Sequence, residues 1–197
     1  EIFIREYISN ASDACDKLRY ESLQNREISH SKELKIIVSL SKKNKTISIS
    51  DNGIGMDKEE LINSLGTIAK SGTEDFIKKL EANNEKNIDQ IGKFGVGFYS
   101  GFMVAKEISV SSRKAGKNSS WEWTSDGKGG FNLEENKEHN LGTKVTLKLK
   151  DEASEFLESI RLSNVIKKYS DHINYSVCLL DEDDKNSKEE KINQSIA

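Results

Sequence analysis

The chain has 197 residues, a formal net charge of −3, and 35% hydrophobic against 32% charged residues. That length buries a real core in about one domain, and the mixed charge excludes a broadly basic nucleic-acid binder and a strongly acidic disordered chain. No apolar run nears the ~20 residues of a membrane span, and the opening residues Glu1 to Glu6 do not read as a secretory signal.

Residues 1–23 read as an amphipathic helix, with Phe3, Tyr7, Ala11, Ala14, Leu18 and Leu23 at near-helical spacing. Leu34–Leu40 and Thr46–Ser50 are β-rich runs joined by a polar turn, a hairpin pattern. Asp57 with Glu60 three residues on is a capping box for a helix running to about Ser64. Residues 66–98 are punctuated by Gly66, Gly72, Gly92, Gly95 and Gly97, the composition of a functional loop rather than a plain connector. Strand runs follow at 107–112, 120–124 and 143–150, then a helix at 160–173 and a strand at 175–180. The charged run 181–191 reads as a solvated linker. Helices alternating with hairpin-linked strands predict an α+β two-layer sandwich, a mostly antiparallel mixed sheet with helices on one face.

Cys15 and Cys178 lack metal-ligand spacing and read as two free thiols of a reducing compartment. His30, His139 and His172 are scattered, so neither a zinc pattern nor a Cys-His nucleophile pair can be assembled. Proline is absent, where about ten would be usual. With Lys far exceeding Arg, this reads as a compositional bias with no bearing on function.

Four motifs carry chemistry. Glu6, Asn10, Asp13 and Ala14 share one helix face by their i, i+4 and i+7/i+8 spacing. They are either a solvated face, or a carboxylate that orients water beside an amide oxygen able to bind a hard cation. The D-x-G-x-G run Asp51-Asn52-Gly53-Ile54-Gly55, followed by Met56, comes directly after a strand, where its glycines permit close backbone approach to a ligand. The G-x-x-G-x-G run from Gly92 to Gly97 offers backbone N–H groups of the kind that face phosphate oxygens. It lacks the Walker ending and the βαβ setting of a dinucleotide fingerprint. Leu141-Gly142-Thr143 opens a strand. Each motif alone is a common turn or face.

In this order the four resemble the Bergerat (GHKL) ATP-binding fold of type II topoisomerases, sensor histidine kinases, MutL-type repair proteins and heat-shock protein 90 chaperones. Longer strings resemble the chaperones: EIFIREYISNASDACDKLRY over 1–20, LGTIAKSGT over 65–73, IGKFGVGFYS over 91–100, and Trp121-Glu122-Trp123 with Asp126-Gly127. IKKYSDHI over 166–173 is most similar to the bacterial, high-temperature protein G branch. The resemblance covers nearly the whole chain.

That resemblance implies an ATPase with ATP or ADP and Mg²⁺ as ligands. It makes Asp51 the reader of the adenine amino group, with Thr143 in support and Met56 and Phe98 as apolar contacts. Asn10 becomes the Mg²⁺ ligand. Gly95, Val96 and Gly97 become phosphate-facing amides with Lys70 near the phosphate end, and Glu6 the general base. Asp13, Ala14, Gly55, Ser64, Leu65, Gly92 and Phe94 fall among its nucleotide-binding positions. It further implies a lid over about 66–98, a nucleotide-binding domain over 1–180, and a linker over 181–197 toward a middle domain. Client proteins, a homodimer in the full-length protein, no nucleic acid or membrane partner, and a cytoplasmic location complete the expectation. Slow turnover is expected without the domain that follows. Three positions depart from the family pattern: Ser64 where a side chain usually reaches the nucleotide, and Tyr7 and Cys15 in place of aliphatic and small residues. A MutL-like or topoisomerase ATPase, a sensor kinase and a nucleotide-holding module without catalysis are the alternatives. The lid string, the lack of a basic face, the lack of a phospho-acceptor histidine module and the retained Glu6 weigh against them.

Overall fold

A computed structural model describes residues 1–28, 32–66, 97–137 and 140–194. The chain opens with helix α1 (Ile2–Gln24) and the hairpin β1 (Lys35–Ser41) and β2 (Thr46–Asp51). A short α2 (Lys58–Leu61) runs into a π-helical turn at Ile62–Gly66. A 3-10 segment, Gly97–Met103, leads into β3 (Ala105–Arg113), β4 (Ser120–Ser125), β5 (Asn132–Asn136) and β6 (Gly142–Leu149). A second 3-10 segment (Asp151–Leu157), α3 (Ser159–Ser170), β7 (Ser176–Asp181) and β8 (Glu190–Lys191) complete the described chain.

The strands form one sheet in the order β5-β4-β3-β6-β2-β1-β7-β8. Every neighbouring pair is antiparallel except β1 with β7. This is the expected α+β sandwich. Period two sorts the faces. Ile36, Val38, Leu40, Ile47, Ile49, Ile108, Val110, Trp123, Leu147 and Leu149 are buried in the core. On the other face hydroxyls pair across strands, Ser48 with Thr146 at 3.2 Å and Ser109 with Thr124 at 3.4 Å. α1 lies on the apolar face against β1, β2, α3 and the Gly97–Met103 segment. Its buried stripe is Phe3, Ile4, Tyr7, Ile8, Ala11, Cys15 and Leu18. Leu23, expected on that stripe, is 82% exposed, because it follows Leu18 by five residues and so rotates away from the sheet. Asp57 and Glu60 form the expected capping box.

Two strands are additions to the expected set. β5 reads Asn-Leu-Glu-Glu-Asn, a poor strand sequence that pairs because the open edge of β4 is available. β8 lies in the run expected to be a linker. Instead of leaving after Leu180, the chain turns at 182–189 and pairs Glu190 with Leu179 and Lys191 with Cys178.

Asn193 explains that return. Buried at 3% exposure, its Oδ1 accepts the Val177 N–H at 2.8 Å. Its Nδ2 donates to the carbonyls of Tyr175 (2.8 Å), Ser170 (3.2 Å) and Ile173 (3.3 Å). Asn193→Ala strips partners from several buried backbone groups, so urea denaturation is expected to show a loss of about 2–4 kcal/mol.

Candidate functional site

A cavity of about 530 Å³ opens between α1, the 51–56 loop, α2, Phe98 and the sheet. Its walls join residues far apart in sequence: Asn10, Asp13 and Ala14 from α1; Asp51, Gly55 and Met56 from the loop; Ser64, Leu65, Phe98 and Thr143. Ile49, Val110 and Val145 supply an apolar base beside Asp51. Asn10, Asp13 and Ser64 are exposed, so the cavity is open on their side. Lys70, Gly92, Phe94, Gly95 and Val96 lie outside the described residues.

The glycines of the loop work differently from the simple expectation. Gly55 does take positive φ (+70°), but the close approach that both glycines permit is to protein backbone. A Cβ on Gly53 would strike the backbone of Ala14 and Cys15, and one on Gly55 would strike the Arg113 carbonyl. Hydrogen bonds run along the same contacts. Ile54 N–H donates to the Ala14 carbonyl (3.0 Å), Ala115 N–H to the Ile54 carbonyl (2.8 Å), and Met56 N–H to Ser112 Oγ (2.7 Å). The loop is therefore stapled between α1 and the β3–β4 turn, and Asp51 is held rigidly at its root. Gly142, at φ +106°, lets β6 pass against the Asp51 carbonyl.

Asp51 pairs with Thr143 across β2 and β6, which brings the second and fourth motifs together. Its Oδ1 accepts the Gly53 N–H at 2.9 Å. Burial pushes its carboxyl up from an ordinary 3.8 to about 7, against the opposing pull of the Gly53 and Thr143 N–H groups. The Thr143 hydroxyl is itself fixed by Ser112 at 2.7 Å. A buried carboxylate on an apolar base is a strong acceptor for a flat ligand that offers N–H. Cys15, directly behind, is fully buried; burial, with Asp51 and Asp16 nearby, pushes its thiol well up, and it behaves as a small apolar filler.

Glu6 is buried one helical turn before Asn10, beside the cavity rather than in its described wall. Its Oε1 accepts from Arg5 at 3.2 Å, while Oε2 faces Gly97, whose missing side chain leaves it room. Asn10 presents an amide to the cavity. Among the described residues, no group of three His, Cys, Asp or Glu could hold a metal. A single amide oxygen nonetheless suits Mg²⁺, which keeps several waters and takes its remaining oxygens from phosphate.

The motif reading missed part of the wall. Ile49 and Val145 lie two residues from Asp51 and Thr143 on the same sheet face, and Lys17 lies seven residues beyond Asn10 on the same helix face, so periodicity could have found them. Lys114, paired with Glu60 at the rim, carries no sequence signal.

Residues 2–154 match the model of the histidine kinase-, DNA gyrase B-, and HSP90-like ATPase family. The chain belongs to this family. It is 50% identical over 199 residues to chaperone protein HtpG of Anaplasma phagocytophilum (strain HZ), covering 100% of this chain and 31% of that protein. It is 53% identical over 180 residues to HtpG of Roseobacter denitrificans, covering 91% of this chain and 29% of that one. The HtpG of Wolbachia sp. subsp. Brugia malayi is 47% identical over 201 residues, covering 100% and 31%. The chain thus spans about a third of the length of these relatives. Among its described residues, no helix is long and apolar enough to cross a membrane.

Proposed function

We propose that the chain is the ATP-binding and ATP-hydrolysing N-terminal domain of a heat-shock protein 90 type chaperone. The observation that carries this is the buried Asp51 carboxylate beside an apolar base, held by the Gly53 N–H and with lone pairs left that call for a donor from the cavity. The adenine amino group meets that need, with Thr143 alongside and Met56, Leu65 and Phe98 as apolar contacts. The α1 face then runs from the base toward the phosphates, with Ala14 level with the loop and Asn10 and Glu6 one and two turns further. Asn10 would hold Mg²⁺, which supplies charge neutralisation across the phosphate oxygens. Glu6 orients and deprotonates water, the one role left for a side chain in a reaction governed by positioning and charge. Gly92 to Gly97 offer amides to the phosphates, and Lys70 a cation.

The similarity to proteins named chaperone protein HtpG supports placing this domain at the head of a longer chain that acts as a homodimer on client proteins. Closure of residues 66–98 over bound nucleotide and a cytoplasmic setting belong to the same reading. Two free, buried cysteines fit a reducing compartment.

Calorimetric titration tests the base assignment. Guanine turns a carbonyl oxygen where adenine has its amino group, so it sets acceptor against the Asp51 carboxylate. ADP is expected to bind at least about 100-fold more tightly than GDP; equal affinities would remove Asp51 as the reader.

A further inference from the structure

Tyr7 is buried where α1 meets the Gly97–Met103 segment. Its hydroxyl donates to the Phe98 carbonyl at 2.5 Å. Its ring stands edge-on to the Phe98 ring, with centroids 5.5 Å apart and planes at 85°. Burial, with Tyr99 nearby, pushes this hydroxyl well above the ordinary tyrosine range, so it remains a donor. Two glycines accommodate neighbouring side chains of α1. A Cβ on Gly101 would collide most closely with the Tyr7 hydroxyl oxygen and less closely with the free end of the Ile108 side chain, and one on Gly97 with the Glu6 carboxylate. The Gly97 carbonyl accepts from Ser100 Oγ at 2.6 Å.

Consecutive helix residues point about 100° apart. Glu6 and Tyr7 therefore form a two-pronged fork on one rigid helix. One prong is the carboxylate against Gly97; the other is the hydroxyl under Phe98, in the space that Gly101 leaves. Tyr7 also lines the cavity, so the fork stands at the border of the nucleotide site.

We propose that Tyr7 and Gly101 are a matched positioning pair that registers the Gly97–Phe98 peptide against Glu6 and so sets where the Glu6 carboxylate stands for hydrolysis. This rests on the reading of Glu6 as the residue that activates water. A methyl at position 101 evicts the Tyr7 hydroxyl, unseats the ring, and moves the first turns of α1 with it. Misplacing a reacting group by about 1 Å costs up to about 100-fold in rate. Tyr7 and Phe98 also line the cavity, but Asp51 and its Gly53 donor are untouched, so turnover falls further than affinity.

The test is steady-state phosphate release by the full-length protein, with melting temperatures alongside. Gly101→Ala is expected to lower kcat about 10-fold, with KM for ATP within about threefold. Adding Tyr7→Leu gives back the volume taken by the methyl, and kcat is expected to return to within about threefold of the parent. Tyr7→Phe keeps the ring and the fold but removes the hydroxyl that ties α1 to the Phe98 carbonyl; kcat is expected to fall about threefold at unchanged KM. An unchanged kcat in Gly101→Ala or Tyr7→Phe overturns the proposal, as does a double variant no faster than Gly101→Ala. Normal turnover in a parallel Glu6→Ala protein overturns the reading of Glu6 itself, separately from the pair.

Discussion

Asp51→Asn is expected to weaken ADP and ATP binding by at least about 100-fold in calorimetry while making the ligand-free domain more stable above pH 7. The first effect follows from acceptor arithmetic. The carboxylate has two oxygens, already serves the Gly53 and Thr143 N–H groups, and still has lone pairs for the ligand. An amide has one oxygen. It must either abandon the backbone donors or present its NH₂ to the adenine amino group, donor against donor. The second effect follows from burial. The folded carboxyl, at about 7, lies above its ordinary 3.8, so between about pH 4 and 7 the folded state holds a proton that the unfolded chain has released. Stability therefore falls as pH rises through that window, by at most about 4 kcal/mol. Asparagine has no such slope. Urea denaturation at pH 5 and pH 8 is expected to show the variant gaining on the parent at the higher pH. A difference that does not change with pH would mean that the Asp51 carboxylate is solvated in the free domain. The same geometry predicts that ATP affinity of the parent weakens as pH falls from 8 to 5.5, since the ionised carboxylate is the better acceptor for the adenine amine.

α1, the β1–β2 hairpin and the Asp57–Glu60 capping box were legible because each obeys a short-range pattern: a 3.6 or 2.0 period, or a cap three residues from its partner. The D-x-G-x-G loop was legible as a motif, but its physical reason was not. Gly53 and Gly55 are required by the backbones of Cys15 in α1 and Arg113 at the β3–β4 turn, 38 and 58 residues distant, and only the fold reveals which backbone they approach. β5 and β8 escaped for a related reason. Neither has strand propensity of its own, and each forms by completing an edge that another strand leaves open. Asn193 shows the same limit, since nothing in a charged, polar stretch marks one amide as the buried tie for four backbone groups. Lys114 reaches the cavity rim only because the β3–β4 turn is stapled to the loop.

Glu6→Ala is expected to leave nucleotide affinity within about threefold of the parent while lowering phosphate release by the full-length protein about 100-fold or more. Affinity survives because Glu6 stands beside the described cavity wall and shares no hydrogen bond with Asp51 or its neighbours. Turnover is lost if the carboxylate is the general base, as proposed, since general-base assistance contributes about 10²–10⁴ in rate. The geometry also indicates what the resting carboxylate is doing. One oxygen is held by Arg5 and the other faces Gly97, so an attacking water would bind at a lone pair that these contacts leave open. Glu6→Gln separates charge from shape: it keeps an oxygen for Arg5 and the packing on Gly97 but cannot take a proton. It is expected to match Glu6→Ala in phosphate release and the parent in melting temperature. If Glu6→Gln hydrolyses ATP like the parent while Glu6→Ala does not, then the side chain supports Gly97 by packing, and the base lies elsewhere.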